Sequence, residues 1–342
     1  MKNKDSRIEL YSNQEEFNKD TIGGINSKIF CRVNDNIDIN STDPVDPNSR
    51  PKMIQDSALF GELFQSLMSD ENRYITSFNE LFDSKYNSFY IPKFVPVLCK
   101  NVLRSHGGQI SEIMGSRLSN LMGYDTVFNI PVDSSFVDNE LCKNINPTTS
   151  IFSVDFLPFG WDYSLFNPLI GKFNHHTSLK MLLNLIDTNL KNNLKEFHAI
   201  DISDKQLESI KIDFVKQYLF RVVLCADSDF GTHNSGIMFN ANTHEVKLLP
   251  NFDMEYMFFQ TPGLYENRRI KDTMDFCVRA YPEVLQSFMH RLQFLDCSGQ
   301  IHKVVTKATR TYPEFTRYNL DVIRAQIDSI YSCYELYSTR EK

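Results

Sequence analysis

The stretch from Ser203 to Asp253 constrains the fold more than any other part of the chain. Ser203, followed three residues later by Gln206, is a capping-box signature, and the apolar residues after it recur at helical spacing for about six turns. A polar loop follows, and two short segments, 235–239 and 245–249, then predict a β-hairpin. The sequence therefore predicts a helix, a loop and a hairpin in direct succession.

Three polar side chains of this stretch have the chemistry of a magnesium and phosphate site. Asp229 and Asn234 are five residues apart in the loop, which is the spacing of Asp and Asn in the kinase catalytic loop, and Asp253 follows the hairpin. Phosphoryl transfer needs a carboxylate that orients the attacking hydroxyl, and hard oxygen ligands for Mg²⁺. We predict Asp229 as the base and Asn234 and Asp253 as the metal ligands. Asp227 is a competing candidate for the base, although it lies seven residues before Asn234.

The same residues are also compatible with a purely structural role. Asp and Asn are common in loops, where they cap and turn the backbone. The match of Asp229 with Asn234 is a pattern of only two residues. The position of Asp253 directly after the predicted hairpin favours a site over this structural role.

Composition indicates a globular protein of enzyme size. The chain has 342 residues, of which 42% are apolar, so it can bury a substantial core. A net charge of -7 gives no general attraction to nucleic acid or to an anionic membrane. No apolar run approaches the roughly 20 residues that cross a bilayer, and the first residues lack the apolar segment of a secretion signal. We therefore expect a cytosolic (cytoplasmic) protein with no membrane partner and no direct nucleic-acid binding.

The cysteines and the paired histidines show no metal-binding pattern. Seven scattered cysteines, none in a C-x-x-C pair, indicate reduced thiols that mostly fill the core. His175 and His176 are adjacent, and no carboxylate at ligand spacing accompanies them. We expect this pair at a helix start or in a loop.

Strand patterns dominate before residue 158 and helical patterns dominate after it, so the fold class is α+β. One helix, from Gly108 to Met122 with Gly123 as its stop, is predicted in the first part. The predicted strands of that part are 29–33, 89–100, 127–132 and 151–157.

Two stretches of the chain have less regular patterns. Residues 34–88 form a polar insertion that includes a helical excursion at 56–83. After residue 255 the pattern is polar and irregular to about Asp272, and helices are then predicted near 274–294 and 315–337.

Four further segments resemble, in chain order, motifs of the HipA-like kinases, a bacterial Ser/Thr kinase family. The family's phosphate loop, Ser-x-(Ala/Gly)-Gly-x-Gln-x-Lys, is similar to Thr21-Ile-Gly-Gly-Ile-Asn-Ser-Lys28. Its Ile-x-Lys strand resembles Tyr90-Ile-Pro-Lys-Phe94, and its helix with a glutamate and a final Leu-Gly resembles Glu112 with Leu121-Met-Gly123. Its adenine hinge, Val-Glu-Arg-Phe, corresponds to Ser153-Val-Asp-Phe-Leu157.

The resemblance implies a two-lobed protein-kinase-like fold, related to the phosphatidylinositol kinases. A β-rich N-lobe with one main helix would cover residues 1–157, and a mainly helical C-lobe would cover residues 158–342, with the catalytic loop and metal-binding hairpin at 226–255. The expected parts of the N-lobe are a phosphate loop at about 21–28, the insertion at about 34–88, a lysine strand at about 89–100, a helix at about 108–122 and a hinge at about 153–157.

The same resemblance implies the cofactors, ATP and Mg²⁺, and roles for individual residues. Lys93 would neutralise phosphate charge and Glu112 would hold Lys93, with Lys100 as a rival for the phosphate-binding role. Thr21, in place of the family's phosphate-loop serine, is a candidate autophosphorylation site. The remaining nucleotide-binding residues are Gly23, Gly24 and Lys28 in the phosphate loop and Asp155, Phe156 and Leu157 in the hinge.

Residue patterns alone leave a structural role open for several of these positions. Gly23 and Gly24 are compatible with an ordinary hairpin turn, and Lys93 and Lys100 with surface lysines. Glu112 lies opposite the apolar stripe of its helix, where it would face water or a charged partner.

The activity implied is transfer of the ATP γ-phosphate to a Ser or Thr hydroxyl of a protein whose identity is unknown. A toxin of a toxin-antitoxin system, with an antitoxin as partner, is one option that the family implies, and a stand-alone or secreted effector kinase is another. The family's catalytic loop reads Asp-Arg-His-x-x-Asn, whereas this chain reads Asp229-Phe-Gly-Thr-His-Asn234. This departure makes a catalytically impaired pseudokinase or interaction module an alternative. A further alternative, which the acidic chain slightly disfavours, is a kinase-fold enzyme that acts on a lipid or small molecule.

Overall fold

The computed structural model describes residues 108–127, 161–258, 264–308 and 313–338, together with strand segments outside them. These segments are Ile8–Leu10 (β1), Lys28–Val33 (β2), Ile37–Asp38 (β3), Tyr90–Ile91 (β4), Pro96–Asn101 (β5), Asn129–Pro131 (β6) and Ser150–Val154 (β7). The chain combines helix and sheet and divides into two compact units. Unit 1 comprises Met1–Arg117 and Val127–Phe159, and unit 2 comprises Leu118–Thr126 and Gly160–Lys342.

Unit 1 contains an antiparallel sheet in the order β1-β2-β5-β7-β6 and a separate pair, β3-β4. Strand β1 pairs with β2, although three residues are too few for a strand pattern to be recognised in the sequence. Strand β3 lies inside the expected insertion and pairs with β4. The register places Lys100 of β5 opposite both Lys28 of β2 and Ile151 of β7.

Helix α1, Gly108–Met122, begins in unit 1 and ends in unit 2. Gly123 follows it with φ +82°, a left-handed conformation that glycine adopts without the steric cost of a Cβ. The Gly123 amide donates to the Asn120 carbonyl and the Tyr124 amide donates to the Ser119 carbonyl, each at 3.0 Å. These bonds satisfy carbonyl groups that the end of a helix would otherwise leave without donors.

Unit 2 is mainly helical. Its helices and strands are β8 (Asp162–Leu165), α2 (Phe166–Ile170), α3 (Leu179–Leu185), α4 (Lys191–His198), α5 (Asp204–Tyr218), β9 (Gly236–Asn240), β10 (Glu245–Leu248), α6 (Leu264–Ala280), α7 (Pro282–Cys297), α8 (Gln300–Ala308) and α9 (Pro313–Ser338). A π-helical segment, Ile186–Leu190, joins α3 to α4, and a second, Leu219–Leu224, extends α5.

The capping box predicted at the start of α5 is confirmed. The Gln206 amide donates to the Ser203 hydroxyl at 3.2 Å, and the Ser203 amide donates to the Gln206 side-chain oxygen at 2.9 Å. A cap of this kind contributes about 1 kcal/mol to helix stability. The helix then continues through its π-helical extension to Leu224, so α5 delivers the chain to the polar loop as the apolar spacing predicts.

The predicted hairpin is also confirmed, as the antiparallel pair β9 and β10. Strand β8, which the sequence did not reveal, joins the other edge of β9 and completes a sheet in the order β10-β9-β8. The Gln217 side chain of α5 donates to the Leu249 carbonyl at 3.1 Å, just after β10. The hairpin is thus attached both to a third strand and to the helix that precedes the loop.

The prediction of an irregular stretch up to about Asp272 is wrong, because α6 already begins at Leu264. Its buried residues Ile270, Met274 and Cys277 recur at helical spacing, while exposed polar residues between them hide the pattern. A new helix, α7, starts at Pro282, a residue suited to the first turn because it has no amide hydrogen to leave unpaired. Within the described residues, none of the helices combines the length and the apolar character needed to cross a membrane.

Candidate active site

The loop between α5 and β9 begins with a sharp change of direction. Ala226 has φ +48°, in the left-handed region that most residues avoid. The amide of Asp227 donates back to the Arg221 carbonyl at 2.9 Å, and the Cys225 amide donates to the Phe220 carbonyl at 2.9 Å. These turns, which span five and six residues, close the π-helical segment.

Phe230 anchors the loop in the core of unit 2. Its ring is fully buried and lies about 6 Å, centroid to centroid, from the rings of Phe173 (5.9 Å), Phe214 (6.0 Å) and Tyr218 (5.8 Å). The next residue, Gly231, passes close to the Phe173 backbone, where a Cβ would lie 3.1 Å from the Phe173 carbonyl oxygen. The Phe-Gly pair that distinguishes this loop from Asp-Arg-His-x-x-Asn therefore fixes the loop to an aromatic core.

Asp227 is fully buried, and both of its carboxylate oxygens are bound. One oxygen accepts from the Arg221 Nε at 2.7 Å, within an ion pair, and the other accepts from the Asp229 amide at 3.0 Å. Because both oxygens are engaged and buried, neither is accessible to a substrate. Of the two candidates for the base, the geometry therefore favours Asp229.

Asp229 lies on the exposed side of the loop, next to Asn234. The Asn234 side-chain nitrogen donates to the Asp229 carbonyl and, at 3.3 Å, to its carboxylate. Loss of water around the carboxyl, followed by repulsion from Asp227 and Asp253, raises the pKa of Asp229 to about 6. A carboxyl with a raised pKa at an accessible position is typical of a general base.

The carboxamide of Asn234 is buried and used at both ends. Its oxygen accepts from the Gly231 amide at 2.8 Å, while its nitrogen donates to Asp229. An amide oxygen has two lone pairs, so this bond leaves one for a cation. The Asn234 side chain thereby connects two other residues of the loop, Asp229 and Gly231.

Asp253 follows the hairpin in a left-handed conformation, with φ +54°. The chain before it is held by Asn251, whose amide donates to the Asp125 carbonyl at 2.9 Å and whose side chain donates to the Ser119 hydroxyl at 2.9 Å. The negative charges of Asp229 and Asp253 also raise the pKa of Tyr256, after burial and after the charge of Glu255. The carboxylates of Asp229 and Asp253 are therefore both near Tyr256, and Asn234 lies beside Asp229.

Arg221 connects the loop to the Asp253 segment, a role that the sequence patterns did not reveal. Its guanidinium is fully buried and donates to the backbone carbonyls of Asn234 (2.8 Å), Phe252 (3.0 Å) and Asp253 (3.0 Å), in addition to Asp227. The available signal was one arginine within the otherwise apolar run Leu219–Leu224, because a charge in such a run must be buried with partners.

The residues present fit a magnesium ion. Mg²⁺ is commonly bound by one or two protein ligands together with phosphate oxygens and water, and Asn234 and Asp253 supply an amide oxygen and a carboxylate. After burial, the charges of Asp227 and Asp253 also raise the Asp229 pKa, and a cation would relieve this charge repulsion. Among the described residues, no group of three or more His, Cys, Asp or Glu is arranged to hold a metal.

Glu112 does not face water, which rules out one of the two alternatives that its helix face left open. It is fully buried, and its carboxylate accepts from the Asn129 side chain at 2.9 Å. Asn129 in turn accepts from the Ser153 hydroxyl at 2.6 Å. The helical pattern of α1 could not reveal this chain of hydrogen bonds, because its partners come from β6 and β7, far along the sequence.

Several predicted nucleotide-binding residues lie outside the described residues. They are Gly23, Gly24, Lys93, Asp155, Phe156 and Leu157, and Thr21 is also outside. Lys28 and Lys100 are described as strand positions of β2 and β5. His175 and His176 lie in the loop before α3, as expected.

No protein-family model matches the sequence, and a comparison with curated proteins gave no match. Among solved structures, the chain is similar to the crystal structure of a Helicobacter pylori proinflammatory kinase, CtkA. The TM-score is 0.49 and the sequence identity is 12%, over 72% of this chain and 92% of that chain. A function is therefore inferred from the site residues themselves.

Proposed function

We propose that the chain is an ATP-dependent kinase whose catalytic group is Asp229, Asn234 and Asp253. The observation that carries this proposal is that the accessible Asp229 carboxyl, whose pKa is raised, lies beside the Asn234 carboxamide, while one buried arginine binds the backbone of both Asn234 and Asp253. Catalysis of phosphoryl transfer consists largely of positioning and charge neutralisation, and these side chains supply both.

Each residue has a distinct role in this proposal. Asp229 orients the acceptor hydroxyl and accepts its proton. Asn234 and Asp253 would hold Mg²⁺, which would neutralise charge on the ATP phosphates. Asp227 does not touch the reacting groups and instead fixes the Asp229 backbone through its bond to the Asp229 amide.

The phosphate-binding lysine is Lys93 or Lys100, and the register of unit 1 supports Lys100. Position 100 lies opposite Ile151, two residues before Ser153, which belongs to the hydrogen-bonded chain that reaches Glu112. Strand positions two apart share a face of the sheet. Position 100 is thus on the same sheet face as Ser153, whose hydrogen bonds lead to Glu112. In this proposal Glu112 is the glutamate that kinases pair with the phosphate-binding lysine.

The acceptor in this proposal is a Ser or Thr hydroxyl of a protein, which follows from the resemblance to the HipA-like kinases. The same resemblance supports ATP as the phosphate donor, the phosphate-loop and hinge residues as its contacts, and a toxin with an antitoxin partner as one biological setting. An assay with protein, inositol-lipid and small-molecule acceptors in parallel separates these substrate classes.

Purified protein incubated with Mg²⁺ and γ-labelled ATP tests the activity. Asp229→Asn is expected to lower label transfer by about 10²- to 10⁴-fold, the usual contribution of a general base. Asp253→Asn is expected to abolish metal-dependent transfer. Asp201→Asn is the matched control, because Asp201 is an exposed aspartate of unit 2 that pairs with Lys195.

One observation favours a second function, a pseudokinase that binds nucleotide without turnover. The Asn234 side chain is buried and bonded at both ends inside the loop, so only the remaining lone pair of its oxygen is left for a metal. The two functions predict different results, since a pseudokinase gives nucleotide binding without label transfer to any acceptor. Absence of nucleotide binding would exclude both.

A further inference from the structure

We propose that Arg221 is a positioning residue that fixes Asn234 and Asp253 relative to each other. The inference rests on the proposed function, because it concerns the two residues assigned there to Mg²⁺. Arg221 is not itself part of the catalytic group, since its guanidinium is fully buried beneath the loop.

The hydrogen bonds of Arg221 reach two segments that are separate in sequence. Nη1 donates to the Asn234 carbonyl at 2.8 Å and to the Phe252 carbonyl at 3.0 Å, and Nη2 donates to the Asp253 carbonyl at 3.0 Å. One planar group therefore touches the backbones of both proposed metal ligands. Movement of either segment alone would break a charge-assisted hydrogen bond at a buried position.

Arg221 is itself held rigidly. Asp227 pairs with its charge through Nε and Nη2, and the Phe230 ring lies 5.2 Å from the guanidinium carbon. Both partners belong to the loop, so the guanidinium is oriented by the segment that it positions. Its backbone carbonyl accepts from the Asp227 amide, which links the loop to the π-helical segment as well.

This arrangement requires arginine rather than any cation. Guanidinium carries five N–H donors in a planar fork, so it can serve two carboxylate bonds and three carbonyls at once. Lysine has three donors on one nitrogen and cannot span these acceptors. Arg221→Lys keeps the charge for Asp227 but releases carbonyls of the two metal-binding segments.

Two measurements on the full chain test the inference, with Arg221→Lys compared with the wild type. Hydrogen–deuterium exchange is expected to accelerate together in the loop 226–235 and in the segment 251–258, with no change in α7. The Mg²⁺ concentration needed for half-maximal stabilisation by ATP is expected to rise about 10- to 100-fold, as for other groups that orient metal ligands.

Arg269→Lys is the matched control. Arg269 is a buried arginine of unit 2 that also donates to a backbone carbonyl, that of His175, at 2.7 Å. This bond holds the loop before α3 and reaches neither metal-binding segment. Replacement of Arg269 is therefore expected to leave the exchange of both segments and the Mg²⁺ requirement unchanged.

The outcomes separate this inference from the proposed function. If the wild type shows no stabilisation by Mg²⁺ and ATP, the proposed function fails, and the exchange data alone decide whether Arg221 couples the segments. Unchanged exchange in Arg221→Lys, or acceleration in only one segment, overturns the inference. If that variant does not fold, hydrogen–deuterium exchange of the wild type decides. Coupled segments must open with the same free energy, so different opening free energies of 226–235 and 251–258 overturn the inference.

Discussion

Asp227 and Asp229 are two residues apart but have opposite surroundings. Asp227 is enclosed by Arg221 and the loop backbone, whereas Asp229 lies on the accessible side beside Asn234. Their spacing in the sequence could not assign the two roles, because it contains no information on the partner that reaches Asp227 from the helix. The ion pair encloses Asp227, whereas Asp229, the base of the proposed function, lies on the accessible side.

Replacing either member of the buried ion pair is expected to destabilise unit 2 strongly. Asp227→Asn leaves the Arg221 charge buried without its counter-ion, and Arg221→Met leaves Asp227 in the same state. Each single change is expected to cost about 3–5 kcal/mol in the free energy of unfolding. Urea unfolding followed by the fluorescence of Trp161, the single tryptophan, measures the transition of unit 2.

The double variant, Arg221→Met with Asp227→Asn, provides the control for this prediction. Because it removes both charges, its cost is expected to fall below the sum of the single costs by about 0.5–3 kcal/mol. Strictly additive costs would show that the two side chains do not interact, contrary to the geometry.

His198 is expected to make the stability of unit 2 depend on pH. Its ring lies tilted against the Phe239 ring, with centroids 4.7 Å apart, and burial lowers its pKa below the ordinary 6.5, against the opposing charge of Asp162. Protonation therefore favours the unfolded chain, in which the pKa is higher. The contribution of neutral His198 to the free energy of unfolding is complete above about pH 6.5. It is lost as the pH falls from there through the folded-state pKa.

Urea midpoints measured between pH 8 and pH 5 check this dependence. His198→Phe keeps an aromatic ring against Phe239 and removes the titrating group, so its midpoint is expected to fall less than that of the wild type at low pH. If the urea midpoints of the two proteins change equally with pH, the pH dependence comes from groups other than His198.

At the scale of elements, the sheet β10-β9-β8 depends on a close approach at Gly236. A Cβ at this position would lie 2.3 Å from the Ser164 carbonyl oxygen and 2.8 Å from the Leu165 Cα, both backbone atoms that cannot move independently. Gly236→Ala is expected to displace β8 and to cost about 3 kcal/mol, the upper part of the usual range for overpacking.

Gly299→Ala is the comparison for this change. Gly299 has φ +68° but no atom within 4 Å of its Cβ position, so the expected cost is only the left-handed strain of about 1–2 kcal/mol. Both variants are measured by urea unfolding. A smaller cost at Gly236 than at Gly299 would contradict the close approach.

Elements with local signals could be predicted from the sequence, and elements defined by distant partners could not. The capping box of α5 and the hairpin β9–β10 are encoded by neighbouring residues. Strand β8 has only four residues and is recognised through its pairing with β9, over 70 residues later. The start of α6 was hidden by its exposed polar residues, and Pro282 divides a region that the periodicity alone treats as one helix.

At the scale of the whole molecule, the same distinction applies to the candidate site. Asp229, Asn234 and Asp253 could be chosen because they lie close together along the chain and flank a recognisable hairpin. The burial of Glu112 and the bonds of Arg221 depend on tertiary contacts with no local pattern. The roles of the phosphate-loop, lysine and hinge residues stay predictions, since their side chains lie outside the described structure.

Nucleotide binding is expected to stabilise the folded chain against heat. A ligand that binds only the folded state raises its stability by RT ln(1 + [L]/Kd), about 2.7 kcal/mol at 100 times Kd. For a unit of this size that corresponds to an increase of about 5–10 °C in Tm. Trp161 fluorescence with Mg²⁺ and ATP, compared with EDTA and ATP, measures the shift in unit 2. Asp253→Asn is expected to lose the magnesium-dependent part and Asp201→Asn to keep it; equal shifts in both variants would remove Asp253 from the metal site.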